Sequence, residues 1–193
     1  MISWIKQTAI YSFFMTIGRY IKWKLKGSPE QPFRLSNRKE FVFMNAKLED
    51  WRVRELATTA FPAFREINKV IMMIDMDRAR AFMLETIKYV KEDGDHWKTA
   101  QEAIKHGSGD CEDQAIVCWH KLRGMGYGDD QIGICIIKEH AFCVVMLGDT
   151  NDFWVLDNGA ISKEIVLASK LNLCPMFVFN PFKTYTYNPT KWY

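Results

Sequence analysis

Ten residues, GSGDCEDQAI at positions 107–116, set a cysteine among three acids directly after two glycines. The thiolate is the nucleophilic form of cysteine, and neighbouring carboxylates disfavour it. Three roles therefore compete for Cys111: buried filler, metal ligand, or a nucleophile whose flanking acids serve another purpose. Asp110 is a good helix N-cap, and Asp113, three residues on, can reach back to it in a variant of the capping box. On that reading two acids serve the helix start, and Cys111 is left in the first turn. There the unpaired N–H groups and the helix dipole favour a thiolate. The helix thus pulls the thiol pKa down while the acids push it up. A nearby imidazolium would decide the contest for the thiolate.

The histidines are His96, His106, His120 and His140. His120 falls on the same helical stretch as Cys111 but about 180° around it, which rules it out as a partner. His96 and His106 border a helix start and a turn and read as surface residues. His140 opens HAFCVVML (140–147), where strand alternation gives it a face with Phe142, Val144 and Met146. The next apolar run, DFWVLDN (152–158), ends in Asp157 on the face of Phe153 and Val155. A carboxylate at the end of a buried strand needs a donor, and an imidazole N–H is a good one. Shared metal coordination by His140 and Cys143 is disfavoured, because strand residues three apart point to opposite faces.

GDCED at a helix start, HAF at a strand start and VLDN on the following strand together resemble the transglutaminase-like superfamily. Within it, the chain is most similar to the bacterial transglutaminase-like cysteine peptidases, over roughly Trp97 to Asn158. The resemblance implies a papain-like arrangement in which Cys111 is the nucleophile, His140 the general base and then acid, and Asp157 the residue that orients the imidazole. An oxyanion would lie against the Cys111 backbone N–H and one further donor, for which Trp97 and Gln101 are candidates. In that family the acids flanking the cysteine are associated with calcium, which points to Asp110 and Glu112. The capping role stands beside this one, since two or three carboxylates are few for a cation that takes about six to eight oxygens. The chemistry itself needs no cofactor. The expected activity is hydrolysis of a protein amide bond through a thioester. Two alternatives stay open: a transglutaminase or amidase acting on glutamine side chains, and a non-catalytic binding module that retains the fold.

These residues must be positioned by a chain of 193 residues, 48% hydrophobic and 14% aromatic, which suits one compact domain. A net charge of +3 leaves no footprint for nucleic acid. The cysteines (Cys111, Cys118, Cys135, Cys143, Cys174) are odd in number and lack a C-x-x-C spacing. That argues against a disulfide framework or a thiolate zinc site and for reduced thiols. Cys118, Cys135 and Cys143 lie in apolar runs and read as core.

Apolar periodicity predicts helices over 48–60, 76–92 (closed by Gly94), 97–106 and 111–123 (ended by Gly124). Strands are predicted at IGICIIK (132–138), 140–147, 152–158 and MFVFN (176–180), with GDTND (148–152) as a hairpin connection. Helices first and then a mostly antiparallel sheet make an α+β domain. FKTYTYNPTKWY (182–193) reads as a strand and tail packed on that sheet, with a partner-binding edge as the alternative.

Residues 1–27 carry five basic residues and no acid, and read as a basic aromatic helix that packs on the domain or lies on a membrane surface. Residues 28–47 read as a linker and 48–193 as a single catalytic domain. The uncharged stretch Gln7–Gly18 is short for a membrane span, and Arg19-Tyr20-Ile21-Lys22 follows it where a signal peptide would place small residues. A cytoplasmic location, with or without membrane-surface contact, is the expectation. The expected partner is a protein substrate.

Overall fold

The computed structural model describes residues 33–34, 41–58, 68–92, 96–137, 140–146, 152–171, 173, 177–181 and 184–187. All of them belong to one unit, Pro32–Tyr193. The basic segment 1–27, Gly94, the GDTN part of the hairpin connection and Cys174 lie outside the described residues. The elements run β1 (Phe33–Arg34), α1 (Phe41–Thr58), α2 (Lys69–Thr86), β2 (Lys88–Tyr89), α3 (Ala100–His106), β3 (Ser108–Gly109) and α4 (Cys111–Gly124). Then follow β4 (Ile132–Ile137), β5 (His140–Met146), β6 (Phe153–Leu156), β7 (Val166–Leu167), a 3-10 turn (Ala168–Lys170), β8 (Phe177–Phe179) and β9 (Thr184–Tyr187). The large sheet has the order β1-β9-β8-β4-β5-β6-β7 and is antiparallel throughout. Among the described residues, no helix is long and apolar enough to cross a membrane.

Helix α4 packs against α2, α3, β4 and β5, so it is enclosed rather than lying on a surface. Its run Asp113–Trp119 is buried all round, as expected of a helix covered on every side. The central strands are buried on both faces. Ala141, Cys143 and Val145 of β5 join the core beneath the helices, with Trp119, Leu122, Met76 and Met83. Phe142 and Val144 join a second core with Phe153, Val155 and Val178 on the opposite face. That double burial explains the near-continuous apolar runs of β4 and β5 in an antiparallel sheet, where one-sided burial would give strict alternation.

Two boundaries differ from those the periodicity predicts. Helix α2 begins at Lys69 behind the N-cap Asn68, whose side chain accepts the Ile71 N–H at 2.9 Å, and it stops at Thr86. Ile87 is extended, and the chain leaves the helix because Lys88 and Val90 donate to Gly107 and Gly109 carbonyls at 3.0 and 2.8 Å. These bonds form the short parallel β2–β3 ladder, a tertiary contact that overrides local helical spacing. Likewise the stretch 28–47 contains β1 and the first turns of α1 rather than only a linker. The C-terminal strand β9 sits between β8 and β1, so it is an inner strand and not an open edge.

Candidate active site

Cys111 is the first residue of α4, as the GDCED pattern predicts, and Asp110 is its N-cap. The capping is one-sided. Asp110 accepts the Asp113 N–H at 3.5 Å, but Asp113 does not reach back. Its fully buried carboxylate instead accepts the Lys98 backbone N–H at 2.9 Å and meets Lys98 Nζ at 2.7 Å. Lys98 also pairs with Glu92. Asp113 can turn this way because Gly109 has no side chain: an added Cβ there would lie 2.3 Å from Asp113 Oδ2.

The half-buried Cys111 thiol donates to Glu112 Oε2 at 3.0 Å, and the backbone N–H of Ala141 faces its sulfur. Burial and the Glu112 carboxylate push the thiol up to about 12, against the opposing pull of the Ala141 N–H. Asp110 is pushed up to about 7, by burial first and then by a hydrogen bond with Glu112. In this state burial first, and then the acids, keep the thiol protonated.

His140 and Asp157 meet at the ends of neighbouring strands. Cys143 of β5 pairs with Leu156 of β6, so Asp157 falls one position beyond the ladder and diagonal to His140. His140 Nε2 lies 2.6 Å from Asp157 Oδ1. The other carboxylate oxygen accepts the backbone N–H groups of Gly159, Ile161 and Ser162 at 3.0, 2.7 and 3.1 Å. Gly159, at φ 108°, turns the chain around that oxygen. Burial raises the Asp157 pKa, but the bonds from His140, Ile161 and Ser162 outweigh it and hold the group at about 2. Asp157 is therefore an anion at neutral pH, so the nitrogen facing it carries a proton. In the neutral imidazole this leaves Nδ1 as the acceptor.

Two tethers were not foreseen. Arg80 of α2 donates to the Asp157 carbonyl at 2.7 Å. Buried Gln114 of α4 accepts from Asn158 Nδ2 at 2.8 Å and donates to the Ile87 carbonyl at 2.9 Å. One side chain thus joins the cysteine helix to the turn that carries Asp157. Its only sequence signal is a polar residue on the apolar side of an amphipathic helix.

Of the two oxyanion candidates, Trp97 is a core residue. Its ring stacks on Phe179 at 5.3 Å and meets Trp51 edge-on at 6.3 Å, a packing role that stands beside its candidacy as an oxyanion donor. Trp97→Phe is expected to cost about 1–2 kcal/mol in urea unfolding while leaving the rate of Cys111 alkylation unchanged. Gln101 is exposed in the first turn of α3, in contrast to the buried Gln114.

No protein-family model and no curated protein matches the sequence. Among solved structures the chain is similar to LapG of Legionella pneumophila, with a TM-score of 0.53 and 25% identity over 58% of this chain and 67% of LapG. EGTA-treated LapG gives 0.55 and 24% over 61% and 68% of the two chains. Calcium-bound LapG gives 0.54 and 21% over 81% and 82%. The helices, the antiparallel sheet and this likeness together make the fold papain-like and transglutaminase-like, α+β, as its residues suggest.

Proposed function

We propose that the chain is a cysteine peptidase of transglutaminase-like type, with Cys111 as nucleophile, His140 as base and acid, and Asp157 as the residue that orients the imidazole. The observation that carries this reading is the 2.6 Å contact between His140 and anionic Asp157, on a strand whose next amide faces the Cys111 sulfur. The likeness of the fold to LapG supports it, and the substrate class of such a peptidase is a protein. His140 Nδ1 takes the thiol proton, and Sγ attacks the amide carbonyl carbon. As the tetrahedral intermediate collapses, the C–N bond breaks and Nδ1–H protonates the leaving amine. Water then gives a proton to Nδ1 and attacks the thioester, which releases a carboxylic acid and restores the thiol. The Cys111 N–H at the start of α4 is the available donor for the oxyanion.

Calcium fits the flanking acids in part. Asp110, pushed up to about 7 by burial and by its hydrogen bond with Glu112, lies beside that carboxylate, and a cation would compete for the place between them. Among the described residues, no three His, Cys, Asp or Glu side chains converge to hold a metal. Asp110 and Glu112 would therefore be the side-chain ligands, with backbone carbonyls and water completing the shell. Bound there, the ion would neutralise the carboxylate charge that adds to burial in holding the thiol protonated. LapG has been solved both calcium-bound and after EGTA treatment.

Alkylation of Cys111 by iodoacetamide against pH, read by peptide mass spectrometry, tests the assignment. Without calcium the midpoint should lie far above the ordinary thiol value of about 8.5. Glu112→Gln removes the carboxylate that raises the thiol pKa, so the midpoint should fall; added calcium should lower it in the unsubstituted chain. Adding His140→Ala to Glu112→Gln should raise it again. A midpoint that stays alkaline throughout, or ignores His140→Ala, would overturn the reading.

A further inference from the structure

Strand β2 pairs on one side only. Its two residues lie parallel to β3, with Lys88 opposite Ser108 and Tyr89 opposite Gly109. Lys88 and Val90 turn their N–H groups inward, to Gly107 and Gly109. In a parallel ladder, alternate residues bond to alternate sides, so the N–H and C=O of Tyr89 face away from β3. No described residue takes those two groups, and β2 and β3 form a sheet of two strands. Lys88, Tyr89 and Val90 are all exposed, Tyr89 by 51% and Val90 by 43%.

This edge has a direction. Its partner β3 runs straight into Asp110 and Cys111, so Tyr89 lies across the ladder from a residue two positions before the thiol. Burial first, and then the charges of Cys111, Asp110 and Glu112, raise the pKa of the Tyr89 hydroxyl. An extended chain added to β2 would run about 4.8 Å outside it and about 10 Å from β3, level with the sulfur after two residues of strand, about 7 Å, so the bond attacked would lie where the chain leaves the edge and crosses toward Cys111.

We infer that the outer edge of β2 is where the substrate's backbone is held, as an added strand paired to the main chain of Tyr89. This rests on the reading of Cys111 as nucleophile and deepens it. The substrate class becomes an extended, unpaired segment of a polypeptide, selected for backbone shape as much as for side chains. An amide inside a helix or an inner strand has no free N–H to offer the edge and is excluded.

The test compares two alkylating probes on the full chain, acetyl-tetraalanyl chloromethyl ketone and chloroacetone. In both reactions Sγ forms a bond to the methylene carbon, chloride leaves, and the thiol proton is lost to His140 or solvent. Tyr89→Pro removes the outward N–H and breaks no ladder bond, because proline is tolerated where the N–H faces out of a sheet. It is expected to slow the peptide probe about tenfold, the loss of one well-made hydrogen bond, and to leave chloroacetone unchanged. Tyr89→Phe is expected to leave both rates within about twofold, since the main chain carries the pairing. A control needs no substitution: methylating the probe's amide nitrogens one at a time should slow alkylation sharply at one nitrogen. Equal peptide rates in Tyr89→Pro and the unsubstituted chain, or equal rates across the methylated probes, would overturn the proposal. If neither probe labels Cys111 with calcium present or in the Glu112→Gln background, the nucleophile reading itself fails, a different result from labelling that ignores the edge.

Discussion

Asp157→Asn should lower amide hydrolysis by about 10³–10⁴-fold and weaken the fold as well, because both carboxylate oxygens are committed. One accepts from His140 Nε2, and the other from three backbone N–H groups. An amide has one oxygen and one NH₂, and neither orientation satisfies both sides. With its oxygen toward His140, the NH₂ faces three donors. With the NH₂ toward His140, Nε2 must become the acceptor, and the proton moves to Nδ1, the nitrogen that should receive the thiol proton. The first arrangement costs stability and the second costs the base.

The stability arm carries a pH signature. The folded-state pKa of Asp157 is depressed from 3.8 to about 2. Between those values the unfolded chain binds more protons, so this contribution is fully present above pH ~4 and is lost as pH falls through about 2. At 1.36 kcal/mol per pH unit it is on the order of 2 kcal/mol. Urea unfolding at pH 7 and pH 3, with kcat/KM for a peptide amide, checks both arms. If Asp157→Asn keeps full activity, the imidazole does not depend on that carboxylate and the assignment of roles is wrong.

How far these features were legible follows from the length scale of each. His140 and Asp157 could be paired from sequence because strand alternation and adjacency fix both faces, and a buried carboxylate demands a donor. The three amides behind Asp157 could not, since they depend on a left-handed Gly159 that composition does not announce. Helix α4 was legible to within a residue, because cap, apolar spacing and terminal glycine agree. Helix α2 was not: apolar spacing continues past Thr86, and only the Gly107 and Gly109 carbonyls, some twenty residues on, divert the chain into β2. The packing partners of Trp97 were not legible for a related reason. Its place in a cluster with Trp51 and Phe179 is set by three distant segments. Asp113 was legible as a first-turn acid but not as the partner of Lys98, because that contact depends on what Gly109 leaves out.

That omission supports the second large effect. Gly109→Ala should destabilise the chain by about 3–5 kcal/mol, the range for breaking a buried ion pair. The added Cβ would lie 2.3 Å from Asp113 Oδ2, 2.5 Å from its Cβ and 2.8 Å from its Cγ. Asp113 cannot swing aside freely, since its buried carboxylate is held by the Lys98 backbone and ammonium. Either it leaves Lys98 and becomes an unpaired buried charge, or the first turn of α4 moves and takes Cys111 with it. Displacing a reacting group by about 1 Å is enough to cost roughly 100-fold in rate. The double variants separate these routes. Asp113→Ala in the Gly109→Ala background relieves the oxygen contact but keeps the one at 2.5 Å, so rescue should be partial. Asp113→Gly removes all three contacts, and the double variant should be more stable than the sum of the two single losses implies. Urea unfolding of the four variants decides it: a Gly109→Ala loss under about 1 kcal/mol, or strict additivity with Asp113→Gly, would show that Asp113 does not pack against Gly109 as described.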